Sequence, residues 1–202
     1  LAGRKVVDFN GPLGWEYGAL NIGRLTVQDK QTGGVGWGVR DVLPLVEFRV
    51  PFTLDMWEID NIVRGSKDAD LDPLQDAAVK AARFEDTAIF QGFNQAKIEG
   101  VIKASDHKAV KLPKNAEDYP KAISGALKAM TMSGIGGPYD LVLGPDEYFT
   151  LMQSHQHGFP PSQVIERNIG GQIHLSPILK GGVLLSTRGG DFELTVGQDI
   201  SI

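Results

Sequence analysis

Residues 72–92 are written as one long helix, and the rest of the chain has to be arranged around it. Leu74, Ala77, Ala78, Ala81, Phe84, Ala88 and Ile89 recur at helical spacing and make a single apolar stripe. Asp72 is placed to cap the N-terminus, Pro73 suits the first helical position, and Gln75 completes a capping-box-like pair. Gly92 supplies the stop. About 20 residues at roughly 1.5 Å each give a rod of about 30 Å. No other segment offers an element of that length, so this helix is the expected spine of the fold.

Before the spine, residues 42–54 alternate. Val46, Phe48, Val50, Phe52 and Leu54 share one side and Glu47, Arg49 and Thr53 the other, which predicts a strand, with Pro51 assigning its end to a sheet edge. Two β-prone runs, 23–28 and 35–40, flank the turn signal of residues 29–34 and predict a long hairpin. It has little core of its own, so it must lean on a neighbour or on another chain. Residues 6–18 are aromatic and rich in Gly and Pro, a loop that packs through its rings. After the spine come a β-prone stretch at 98–102, a helix at 116–132 between Asn115 and Gly134, and a buried strand at 139–143. Helices follow at 145–152 and 162–168, on either side of a His-, Gly- and Pro-containing loop, and then strands at 172–176, 183–187 and 192–196. The order predicts an α+β protein with two lobes and a projecting arm.

Composition removes several function classes. With 202 residues the chain can bury a sizeable core. A formal net charge of −5 argues against a general nucleic-acid binder. Cysteine is absent, which excludes disulfides, thiolate metal sites and a cysteine nucleophile, and which suits a reducing cytoplasm. No apolar run is long enough for a membrane span, and the first residues do not read as a signal peptide.

Few motifs carry chemistry. The run from Gly33 to Gly38 lacks dinucleotide-binding spacing, and no phosphate-binding loop or nucleophile elbow occurs. His155 and His157 sit two apart in a loop without a third ligand, and no Glu-x-x-His signature exists, so no metal site is expected. Asp55, Glu58 and Asp60 read as a solvated rim or subunit contact around Trp57. Trp57 itself is open to two readings: a core or interface residue, or a stacking platform for a planar ligand with Arg49 as the anion contact.

The motifs do combine into a likeness. Residues 3–8 (GRKVVD) and 11–17 (GPLGWEY), then 43–54 (LPLVEFRVPFTL), 57–61 (WEIDN) and Arg64-Gly65, resemble the encapsulin shell proteins of family one, formerly described as linocin-type bacteriocins. Phe84-Glu85-Asp86, Ile89-Phe90 and Gly92 fit that family's spine helix, and 137–139 (GPY), 187–192 (TRGGDF) and 197–199 (GQD) continue the match. Members of that family extend further at both ends.

The resemblance implies the tailed-phage major capsid protein fold. Residues 1–17 and 52–103 would form the peripheral domain with its spine helix, 18–51 the extended loop, 104–195 the axial domain, and 196–202 a return to the peripheral domain. It implies a structural role without turnover: a bacterial or archaeal cytoplasmic shell of icosahedral symmetry, built from copies of one chain. The shell would enclose cargo enzymes, a ferritin-like iron oxidase or a dye-decolorising peroxidase, each held through a targeting peptide. Neither nucleic acid nor membrane is expected as partner. A phage capsid protein and, further off, a hydrolase or bacteriocin are the alternatives. The likeness places Arg4 and Asp8 beside the cargo peptide and sets His155, His157 and Gly158 around the five-fold pore. No cofactor is required. Some members carry a flavin (FMN), and the matching residues here are Trp57 and Arg49.

Overall fold

A computed structural model describes residues 1–28, 33–154 and 159–202. The spine is α3, Asp72–Gln91. It is preceded by α1 (Gly3–Val6), β1 (Asp8–Asn10), β2 (Ala19–Val27), β3 (Gly38–Pro44) and α2 (Met56–Val63). After it come β4 (Gly92–Phe93), β5 (Ile98–Glu99), α4 (Tyr119–Met132), β6 (Tyr139–Leu143), α5 (Pro145–Gln153), α6 (Pro161–Ile169), β7 (Ile173–Leu175), β8 (Gly182–Ser186) and β9 (Glu193–Thr195).

From its second turn onward α3 carries a buried face, with Ala77, Ala81, Glu85, Asp86, Ile89 and Phe90 turned inward. Gly92 ends the helix at φ 86°, and its backbone comes so close to Gly100 that a Cβ there would stand 2.7 Å from the Gly100 nitrogen. This close crossing lets the returning chain donate from Val101 and Ile102 N–H to the carbonyls of Ile89 and Phe90, which the helix leaves free.

Strand β6 is buried along its whole length and lies between β7, parallel to it, and β8, antiparallel. Its alternation supplies two cores. Tyr139, Leu141 and Leu143 join Ile123, Leu151, Ile165 and Ile169 from α4, α5 and α6. Val142, on the other face, joins Ala2, Val6, Ile89, Phe90 and Leu185. The β2–β3 hairpin forms a separate two-stranded sheet, Ala19 opposite Pro44 and Val27 opposite Gly38, with a register shift between Asn21 and Leu25.

Three expectations are corrected and one element, α2, is added. Residues 45–55 form no strand. The alternation is real, since Val46, Phe48 and Val50 are half-buried while Glu47 and Arg49 are exposed, and Phe48 packs 4.8 Å from the Phe84 ring on α3. The segment lies extended along the spine without a partner strand, and an apolar alternation cannot distinguish the two cases. Leu71, not Asp72, is the N-cap of α3, and no side chain caps it; the Asp72 N–H donates to Asp70 Oδ1 instead. The acidic group around Trp57 is itself a helix, α2, capped by the Asp55 carboxylate, which accepts from Trp57 N–H at 2.9 Å. Finally, the loop of residues 6–18 contains β1, which runs parallel to β9 near the other end of the chain.

Candidate functional site

The first ten residues are tied to the spine by two adjacent carboxylates. Asp86 accepts the N–H groups of Gly3 (3.0 Å) and Ala2 (3.3 Å), and the Ser176 hydroxyl donates to it at 3.1 Å. This places a negative group at the start of α1 while satisfying both orphan donors and the carboxylate. Glu85 takes Arg4 through two bonds, Nε to Oε1 at 2.5 Å and Nη2 to Oε2 at 2.7 Å. The other side of the guanidinium donates to Asp199, from Nη2 at 2.7 Å and Nη1 at 3.1 Å, and the Phe9 ring lies 5.2 Å from its centre. The hydrogen bonds to Glu85, then to Asp199, raise the Arg4 pKa further above its ordinary value. Arg4, assisted by the Ile200 N–H, holds Asp199 below the usual carboxylate range. Arg4 therefore joins three parts of the chain: its beginning, the spine and the tail.

Asp8 has different partners. Gly189 and Gly190 both take positive φ, and this turn aims the Gly190 N–H at Asp8 Oδ2, 2.6 Å away. Arg188 and Asp191 close the turn with two bonds of 2.9 Å. Beside Asp8 opens a hollow of about 110 Å³, lined by Lys5, Ser186, Thr187, Asp191 and Phe192 among others. It is too small for a globular partner and suits a single side chain or a turn of peptide. Arg4 and Asp8, both placed beside the cargo peptide by the likeness, take different partners here: the first is committed to Glu85 and Asp199, the second to the glycine turn.

Trp57 is 71% exposed on the first turn of α2. Arg49, on the extended segment, is paired with Glu47 at 2.6 Å and lies over no aromatic ring among the described residues. An open indole face fits a planar group; a guanidinium already neutralised by its own neighbour fits an anion less well. His155, His157 and Gly158 lie outside the described residues. Of the remaining histidines, His174 is buried and paired with Asp140 at 3.0 Å. Among the described residues no group of His, Asp and Glu could hold a metal, and no helix is long and apolar enough to cross a membrane.

Sequence reasoning passed over Glu85, Asp86 and Asp199 as functional residues. A signal was present for the first two, since both fall between Ala81 and Ile89 on the stripe assigned to the core, and carboxylates there demand partners.

The fold is that of a capsid-type shell subunit. A virus-like particle from Pyrococcus furiosus superposes with a TM-score of 0.60 at 15% identity, covering 98% of this chain and 77% of that one. The family described as "Encapsulating protein for peroxidase" matches residues 1–202. The type 1 encapsulin shell proteins of Rhodococcus erythropolis and Mycobacterium tuberculosis are each 42% identical over 202 residues, all of this chain and 76% of each relative. The chain belongs to the encapsulin shell protein family. Its role is structural rather than catalytic, as the sequence resemblance implied, and the hydrolase and phage-capsid alternatives give way to it.

Proposed function

We propose that copies of this chain close into an icosahedral compartment in the bacterial or archaeal cytoplasm, around a peroxidase or a ferritin-like iron oxidase captured by its targeting peptide. The observation that carries the assembly reading is the β2–β3 arm. Ile22, Leu25, Val27, Val35, Trp37, Val39 and Val42 are all exposed on it, which a lone subunit in water has no use for. Repeated heterologous contacts through such arms generate closed shells when the rotation closes. The division into peripheral domain (1–17 and 52–103), extended loop (18–51), axial domain (104–195) and returning tail (196–202) accompanies this reading. The two cores, one on each face of β6, support it.

Cargo capture falls to the face carrying Arg4 and Asp8. Arg4 acts by fixing α1 on the spine and Asp8 by lining the hollow, which takes one anchoring side chain of the peptide. A flavin stacked on Trp57 is the one cofactor reading, supported by that ring's exposure. Pore lining by His155, His157 and Gly158 follows from the family likeness, and nucleic acid and membrane are not among the partners. The test is electron microscopy and mass spectrometry of full-length protein purified with its cargo. Hollow particles with co-purifying enzyme are expected. Asp8→Ala is expected to keep the particles and lose cargo, and Trp57→Ala to lose any absorbance near 450 nm. Only single subunits or small oligomers would end the shell reading.

A further inference from the structure

Gly125 stands near the middle of α4, where glycine weakens a helix relative to alanine. Two circumstances would call for it, a positive φ or a neighbour too close for a side chain, and neither holds. Its φ is not positive, and a Cβ built on it would meet no atom within 4 Å outside its own stretch of helix. It opens instead onto a trough of about 460 Å³ between α4 and residues 105–115, a segment without helix or strand.

The trough has two walls. Asp118, Lys121, Ala122 and Gly125 recur at helical spacing along one side of α4, while Tyr119, Ile123 and Met130 turn another side into the core. The facing wall is Val110, Lys111 and Pro113, and Leu112 between them packs against the same core, which pins this segment along the helix. The lining is mostly apolar, yet two cations stand in it. Lys111 and Lys121 are exposed, and neither has a hydrogen bond or ion pair with a described residue. Asp118 is the N-cap residue of α4, but its carboxylate makes no capping bond. Two cations against one anion leave the trough with one positive charge in excess.

We propose that this trough binds a small organic monoanion with a hydrocarbon body, a fatty-acid-type carboxylate. The head lies between Lys111 and Lys121, and the chain lies over Gly125 and Ala122 against Val110 and Pro113. A singly charged head balances the lining, whereas a polyphosphate would bring charge the trough cannot match and would meet Asp118. Gly125 then has a use, because a side chain there would occupy the floor. All of these residues belong to one chain, so the site goes beyond the shell reading and does not depend on it.

Dodecanoate is the probe, titrated by calorimetry into full-length protein in its native assembly, below the concentration at which the soap forms micelles. Saturable binding of about one dodecanoate per chain is expected, and dodecyltrimethylammonium, the same chain with a cationic head, is expected to bind about tenfold or more weakly. Gly125→Leu is expected to weaken dodecanoate binding about tenfold or more with particle size unchanged by light scattering, since there is room for the side chain and leucine favours the helix. Lys111→Glu with Lys121→Glu is expected to weaken it as much through the head, and Lys121→Arg to retain it. Absence of saturable binding overturns the proposal, as when a neighbouring subunit covers the trough. So does undiminished binding to Gly125→Leu, which would put the probe elsewhere, such as on the exposed arm. Displacement of dodecanoate by inorganic phosphate or ATP at equal concentration would mean a general anion site, and also overturns it. If Gly125→Leu does not assemble, the double lysine variant decides: unchanged affinity there overturns the site.

Discussion

Strand β6 and the β2–β3 arm are both apolar β-structure, yet they sit at opposite ends of the burial scale. All five residues of β6 are buried, and its two faces feed two different cores. The arm is longer, with strands of nine and seven residues against five in β6, and no residue of either strand is buried. A strand with neighbours on both sides and layers above and below completes its hydrogen bonds and its packing inside one chain. A two-stranded ribbon with neither has only its ladder, which is marginal in water. Similar apolar content therefore ends up in two different places: on β6 it stabilises the subunit, and on the arm it stays exposed to solvent.

The comparison can be broken first at its buried end. Leu143→Ala, at a fully buried site between β7 and β8, is expected to cost about 2–5 kcal/mol. Leu25→Ser on the arm is expected to change subunit stability by less than about 0.5 kcal/mol while impairing assembly. Denaturant unfolding of both variants under conditions that keep subunits apart reads the contrast; equal losses would mean that the arm is structural after all.

Next in size is the carboxylate that holds α1. Asp86→Ala strips partners from two backbone N–H groups and from the Ser176 hydroxyl, so a loss of about 1–3 kcal/mol is expected from the same titration. An unchanged midpoint would show that water replaces the carboxylate at no cost.

The Arg4–Asp199 bond is weaker because Asp199 is 47% exposed and solvent screens it. Its folded pKa lies below the unfolded value of 3.8. The stability it contributes is therefore complete above that value and disappears as pH falls through the folded one. Wild type and Asp199→Asn should differ by about 1 kcal/mol or less at pH 6 and converge in strong acid. A difference that grew on acidification would refute the assignment.

The smallest expected change is a gain. Lys97 takes φ 57° at an exposed turn between β4 and β5, a left-handed conformation that costs a residue with a Cβ. Lys97→Gly should raise stability by a few tenths of a kcal/mol, read as a slightly higher thermal midpoint.

The elements legible in the sequence were those with a local cause. Helix α3 was visible from its stripe, β6 from its unbroken apolar run, and the hairpin from its turn signal, and each lies within a few residues of its expected place. Residues 45–55 misled because their alternation reports a buried face and not what buries it; here that is Phe84 on a helix. The β1–β9 ladder was invisible because Asp8 pairs with Glu193 across nearly the whole chain, and three residues of strand carry no periodic signal. At the candidate site, the likeness singled out Arg4 and Asp8, but their partners Glu85, Asp199 and Gly190 come from three distant segments. No spacing rule connects those.

That long-range ladder gives the molecule an order in time. A polypeptide leaves the ribosome from its N-terminus at about 5–20 residues per second. Both strands of the arm precede the spine helix and pair with each other. Asp8 must wait for Gly190 and β1 for β9, so the hollow beside them is completed only when synthesis has nearly reached the last described residue. The exposed apolar arm is thus available before the hollow beside Asp8 is complete, and a nascent chain carries the one while the other is still open at one side.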